Sequence, residues 1–195
     1  SDGGELAEPV AVLQEETGRL EELAAQFAAL GRPPEGPSSP VDLAELLAGL
    51  LRSDVPPAVR SSFSAPEALP MVDGHYEELL RAFRNLVRNA VEAMEGMDAP
   101  RHIDSDIRVT DVEVDSSWIE VAIADRGPGI SARADERIFE PDYTTKSRGT
   151  GLGLALVRQA VRAHGGEVRA RNREGGGAVF VVRLPARAVP VPARA

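Results

Sequence analysis

Cysteine is absent from the 195-residue chain, so neither a disulfide framework nor a thiolate metal site is available to it. Aromatic residues are scarce at 4%, which leaves aliphatic side chains and alanine to fill the interior. No apolar run approaches the ~18 residues of a membrane-spanning helix, and no signal-peptide pattern opens the chain. Positive charge is in deficit. The net charge of −9 argues against a surface for nucleic acid or anionic membrane, both of which attract basic patches. These absences lead us to expect a cytoplasmic protein, or the cytoplasmic part of a longer one, with no nucleic-acid partner and no direct membrane contact. Lysine is nearly missing too: of 22 basic residues, 21 are arginine and one, Lys146, is lysine.

What is present is ordinary for a globular domain, with 43% hydrophobic and 27% charged residues. The length suits one medium domain with an appendage. Leu6, Leu13, Leu20 and Phe27 recur every seven residues, with Leu23 and Leu30 on the neighbouring seam. That spacing predicts a helix over 1–31, broken near its start by Pro9, whose coiled-coil-like stripe seeks a partner helix or its own domain. Residues 32–40, within "GRPPEGPSSP", cannot continue a helix and read as a linker.

From residue 41 a compact domain is expected. "PVDLAELLAGLL" starts a helix, with Pro40 and Asp42 at positions that favour a start. "VRSSFS" reads as a short strand. Between Gly74 and Met94 the pattern is strongly helical, with Tyr76, Leu79, Leu80, Phe83, Leu86, Val87, Ala90, Val91 and Met94 on one face. "DIRVTDVEV" and "WIEVAIAD" read as strands, "GLGLALVRQAVRAH" as a helix closed by Gly165 and Gly166, and "GEVRARN" and "AVFVVRLP" as further strands. Residues 187–195 read as a loose tail. Helices followed by strands, without strict alternation, favour an α+β sandwich with helices on one face of the sheet.

Three features carry chemistry. On the long helix Asn85 and Asn89 stand one turn apart, away from the apolar face; their carboxamide oxygens are neutral hard ligands, suited to Mg²⁺ beside a polyphosphate. "DRGPGI" (125–130) follows a strand directly, so Gly127 and Gly129 permit close approach to a flat ligand and Asp125 could accept from an exocyclic amine. "GTGLGL" (149–154) opens a helix, where free amides and the positive dipole end favour phosphate. It matches neither the P-loop pattern nor the dinucleotide fingerprint. Three residues before it, Lys146 offers a compact point charge to a terminal phosphate. The alternative for each feature is plain structure: surface asparagines, a turn, a chance lysine.

In this order, "NLVRNAVEAM" (85–94), "DRGPGI", "IFEPDYTTK" (138–146) and "GTGLGLAL" (149–156) resemble the N, G1, F and G2 boxes of the ATP-binding domain of bacterial sensor histidine kinases, most closely the nitrogen-regulation type. "HGGEV" and "GGGAVFVVRLP" continue the likeness, which covers roughly 41–186. The wider superfamily (GHKL) shares a two-layer α/β sandwich, the Bergerat fold, with type II topoisomerases, Hsp90 chaperones and MutL proteins. The resemblance implies that Asn89 holds Mg²⁺ and Asn85 lines the same pocket. It implies that Asp125 receives the adenine amino group in a slot shaped by Gly127 and Gly129. The backbone of Gly149, Thr150, Gly151, Leu152 and Gly153 would wrap the phosphates and Lys146 would reach the γ-phosphate. Phe139 and Tyr143 would anchor the lid, with Tyr143 at the pocket.

Two departures stand out. Glu92 replaces a cation common in the family three residues after the second asparagine, and Asp142 stands where an aromatic is frequent. No phosphoacceptor box is present. His75 falls at a helix start, His102 in a loop and His164 at a helix end, where structural roles are expected. The resemblance therefore implies a protein histidine kinase fragment that begins after its acceptor. It would use Mg·ATP to phosphorylate the dimerisation domain of the same kinase, a homodimer when intact, for relay to the receiver domain of a response regulator. A clamp ATPase and a non-catalytic ATP-binding module are the alternatives; the first usually needs an acidic residue where Asn85 stands.

Overall fold

A computed structural model describes residues 36–98, 100–110, 117–131, 135–144 and 150–187, together with eight isolated positions between Val10 and Ala28. Those eight are helical, and Leu20 and Phe27, seven apart, are 65% and 60% exposed. The rest of the predicted N-terminal stripe lies outside the described residues.

Strand β1 (Ser39–Val41), at the end of the segment read as a linker, pairs antiparallel with β3 (Val72–Gly74). Helix α1 (Leu43–Ser53) begins where expected: Asp42 accepts from the N–H groups of Ala44 and Glu45 at 2.8 and 3.0 Å. Its Leu43, Leu46, Leu47, Leu50 and Leu51 are buried at helical spacing. Arg84 Nε, 2.8 Å from Asp54 Oδ2, ties the end of α1 to the long helix α2 (Tyr76–Ala93). The Ser53 hydroxyl lowers the Asp54 carboxyl below its ordinary value, and Arg84 adds to this against the effect of burial. Helix α3 (Gly153–Ala163) packs on α2.

The main sheet runs β2 (Arg60–Ser64), β4 (His102–Thr110), β5 (Trp118–Ala124), β7 (Ala178–Pro185), β6 (Glu167–Asn172). β2 lies parallel to β4 and the other neighbours are antiparallel, so the sheet is mixed. Alternation decides its faces. Ile103, Ile107, Ile119, Val121, Ile123, Phe180, Val182 and Leu184 are buried in the core with Leu79, Phe83, Leu86 and Val87 of α2. Each fully buried aliphatic side chain contributes about 1.5–3 kcal/mol. On the other face, in register, Arg108, Glu120, Arg183 and Glu167 alternate in sign across four strands.

Several boundaries differ from the sequence reading. β4 starts at His102, which is therefore a strand residue and not a loop residue; its polar Asp104 and Ser105 masked the strand. Tyr76, assigned to the apolar face of α2, is 47% exposed because the core along this helix begins at Leu79. Among the described residues no helix is long and apolar enough to cross a membrane.

Candidate functional site

β5 delivers Asp125 just beyond its last residue, where the residue is 1% exposed. The Asp125 N–H donates to the Ala178 carbonyl at 2.9 Å, extending the β5–β7 ladder by one step. Its Oδ1 accepts from the N–H groups of Gly127 at 2.8 Å and Ala178 at 3.2 Å. Both of these bonds fall on Oδ1. Gly127 is small for a reason: a Cβ there would stand 2.9 Å from the Ala93 carbonyl oxygen and 3.1 Å from Ala93 Cβ. The last turn of α2 is thus pressed against the "DRGPGI" loop. Gly129 has φ +81°, a conformation L side chains rarely adopt.

At its other end the same stripe of α2 meets α3. Asn85, read as projecting away from the core, is buried at 9% exposure because α3 covers it; a Cβ built on Gly153 would lie 3.7 Å from Asn85 Oδ1. Asn89 is half-buried one turn further on. Arg88 Nη2 donates to Asn85 Oδ1 at 3.4 Å, and its Nε stands 3.6 Å from Glu92 Oε1. Glu92, the departure from the family's cation, therefore pairs with a cation of its own. From Asn85 to Ala93 the helix rises ~12 Å.

Between these ends lies the segment preceding α3. Phe139, at the end of a 3-10 helix (Asp135–Phe139), is buried edge-on against Phe180, with ring centroids 6.4 Å apart. Tyr143 is half-buried beneath the Arg137 guanidinium, 5.8 Å from the ring centroid. Asp142 adopts φ 66°, and a Cβ on Gly151 (φ +69°) would come within 2.7 Å of the Asp142 carbonyl carbon. Asp is among the few non-glycine residues that tolerate this backbone, so the turn accounts for an acidic residue there. Leu152 is buried, its N–H donating to Thr150 Oγ1 at 3.3 Å. No side chain of the N-cap residue caps α3, and no acidic residue occupies its first turn. Lys146 and Gly149 lie outside the described residues.

The histidines have structural places. Buried His164 donates from Nδ1 to the Ala160 carbonyl at 2.7 Å and accepts at Nε2 from the His75 N–H at 2.9 Å, tying the end of α3 to the start of α2.

Sequence reasoning missed one component, the β6–β7 hairpin. Asn172 clamps Ile130 twice: its Oδ1 accepts the Ile130 N–H at 2.6 Å and its Nδ2 donates to the Ile130 carbonyl at 2.8 Å. Arg173 Nη1 donates to the Asp125 carbonyl at 3.1 Å and lies 3.2 Å from Asp104 Oδ2. A Cβ on Gly177 would stand 2.0 Å from the Asp125 oxygen. The available signal was "GGG" at 175–177: three consecutive glycines, all at positive φ, exceed what a simple hairpin turn requires.

A mixed sheet roofed on one face by helices, with a polar helix stripe running beneath a glycine-started helix, belongs to the class of two-layer α/β nucleotide-binding sandwiches. The profile of the family "Histidine kinase-, DNA gyrase B-, and HSP90-like ATPase" matches residues 74–188, and the chain belongs to that family. Its similarities fall on the sensor histidine kinase side. The chain is 33% identical over 187 residues to the sensor histidine kinase ZraS of Escherichia coli O157:H7, covering 94% of this chain and 39% of ZraS. Full-length ShkA, solved in complex with AMPPNP, is 27% identical with a TM-score of 0.76 over 97% of this chain and 41% of ShkA. The histidine kinase ThkA, solved with the response regulator protein TrrA, is 25% identical with a TM-score of 0.70, covering 96% of this chain and 53% of ThkA. The chain thus spans about two fifths of the length of ZraS.

Proposed function

We propose that this chain is the catalytic, ATP-binding part of a two-component sensor histidine kinase of the nitrogen-regulation type. Residues 1–31 are the end of the second dimerisation helix, 32–40 the linker, 41–186 the ATP-binding domain and 187–195 a tail. The observation that carries the reading is the geometry of one helix: α2 presses Ala93 against Gly127 beside Asp125, and places Asn85 under Gly153 at the start of α3. This packing supports a reading in which base and phosphate features, distant in sequence, stand at opposite ends of one stripe.

The residues fit the groups. Gly127 and Gly129 let the loop pack closely on Ala93 and Asn172, which shapes the slot for a planar base beside Asp125, whose Oδ2 accepts from the exocyclic amine. The backbone of Thr150, Gly151, Leu152 and Gly153 lies along the phosphates at the start of α3, where the Leu152 N–H is shared with Thr150 Oγ1 and the N-cap residue adds no side-chain cap of its own. Asn89 holds Mg²⁺, with Asn85 lining the pocket, and both offer neutral oxygens that add no repulsion to a polyphosphate. When bound, Mg²⁺ neutralises charge on the phosphate oxygens. Lys146 brings its ammonium to the γ-phosphate, Gly149 gives the adjoining backbone its freedom, and Phe139 and Tyr143 anchor the segment.

Phosphoryl transfer needs mainly positioning and charge neutralisation. A histidine nitrogen of the dimerisation domain attacks the γ-phosphorus; an N–P bond forms, the bond to the β,γ-bridging oxygen breaks, and ADP leaves. The phosphoryl group then passes to a receiver-domain aspartate of a response regulator. Asn85 stands where hydrolysing relatives need an acid, which favours transfer over hydrolysis. The test adds the acceptor helix in trans with γ-labelled ATP. Acid-labile, base-stable label on that helix is expected. Its absence at saturating ATP, or steady ATP hydrolysis by this chain alone, contradicts the kinase reading.

A further inference from the structure

We propose that Arg173, held by Asp104, is a positioning residue for base recognition: it fixes the Asp125 main chain so that the carboxylate meets a 6-amino purine. The inference rests on the assignment of Asp125 to the base and adds the element that sets its selectivity.

One nitrogen does the holding. Arg173 Nη1 bridges the Asp125 carbonyl at 3.1 Å and Asp104 Oδ2 at 3.2 Å. Asp104 lies opposite Ala124 in the β4–β5 pairing, one residue before Asp125 along β5. Partial burial raises the Asp104 carboxyl, but the Ser62 hydroxyl, His102, Arg173 and Arg126 outweigh it and keep it below its ordinary value. The anchor stays ionised at neutral pH. Ser62 donates to Asp104 Oδ1 at 2.8 Å, His102 Nε2 lies 3.0 Å from the same oxygen, and Arg126 stands 3.8 Å from Oδ2.

The rest of the hairpin braces the same loop. The Ala178 carbonyl accepts the Asp125 N–H and the Ala178 N–H donates to the Asp125 carboxylate, while Asn172 clamps Ile130 at the far end. With both ends of "DRGPGI" held, Asp125 has little freedom of main-chain tilt. An acceptor held this way discriminates by donor: a purine with an amino group at C6 satisfies it, and one without leaves a buried carboxylate oxygen unpaired.

Affinities of the whole chain for ATP and for purine riboside triphosphate, which lacks the 6-amino group, test this. In Arg173→Met, ATP should bind about tenfold more weakly while the analogue changes little, so the preference for ATP collapses. Asp104→Asn should move the preference in the same direction by less, and Arg173→Lys should restore part of it. Circular dichroism melts of each variant separate folding from selectivity; if Arg173→Met does not fold, Asp104→Asn decides. Equal weakening for both nucleotides, or an unchanged preference, overturns the proposal and leaves the nucleotide reading standing. Failure of the unsubstituted chain to bind ATP overturns both.

Discussion

The two ends of the α2 stripe differ in who satisfies their polar groups. At the Ala93 end the protein does so itself: Asp125 Oδ1 receives two backbone N–H groups, Arg173 fills the Asp125 carbonyl, and Asn172 occupies both polar atoms of Ile130. At the Asn85 end, the N-cap residue of α3, Leu152, supplies no side-chain cap, Thr150 Oγ1 accepts from the Leu152 N–H, and no acidic residue occupies the first turn. Helix α1, also eleven residues long, shows what a self-sufficient start looks like, with Asp42 bonded to two amides and Glu45 in the first turn. On the proposed reading, the first end reads the shape and hydrogen bonds of a base, and the second offers a helix start to an anion supplied from outside.

The largest expected break is at the phosphate end. Asn89→Ala should lower transfer to the acceptor helix by about a hundredfold or more, while the melting temperature stays near that of the unsubstituted chain. Unchanged transfer would remove the metal assignment. The base end breaks through folding instead. Gly177→Ala puts a methyl group on the Asp125 carbonyl at a positive φ, so a loss of about 3 kcal/mol should appear in thermal melts; an unshifted melt contradicts the close packing seen there.

A change remote from both ends sharpens the contrast. His164→Ala removes the acceptor of the His75 N–H, and a loss of about 1–3 kcal/mol is expected with ATP affinity held within about twofold. A large loss of affinity would show that the helix joint and the site are not independent. The smallest effect separates two glycines of one motif. Gly151→Ala meets the Asp142 backbone at positive φ and should destabilise. Gly153→Ala meets Asn85 at ordinary contact distance and should stabilise by about 0.5–1 kcal/mol. Equal melts for the two would contradict that distinction.

The sequence carried local information well. Asp42 before an apolar helix, the alternation in "WIEVAIAD" and "AVFVVRLP", and the seating of Gly165 and Gly166 after α3 are properties of neighbouring residues, and the structure has them where they were expected. What was not legible depends on distant partners. The parallel pairing of β2 with β4 joins strands about forty residues apart, and nothing in "VRSSFS" states its direction. Asn85 reads as a surface residue until α3, nearly seventy residues later, is laid over it. The hairpin brace was hidden for the same reason: Asn172 reads as the last residue of a strand and Arg173 as the turn after it, and only the fold shows that they hold Ile130 and Asp125.

The most direct test is calorimetric titration of the chain with ATP, with and without Mg²⁺, beside Asp125→Asn. Asparagine keeps the acceptor at Oδ1 and turns the other oxygen into a donor. A single saturable site, strengthened by Mg²⁺ and weakened about 10–100-fold by Asp125→Asn at near-constant melting temperature, is the expected result. Equal binding by both proteins would contradict the claim that a purine sits on Asp125 at the end of the α2 stripe.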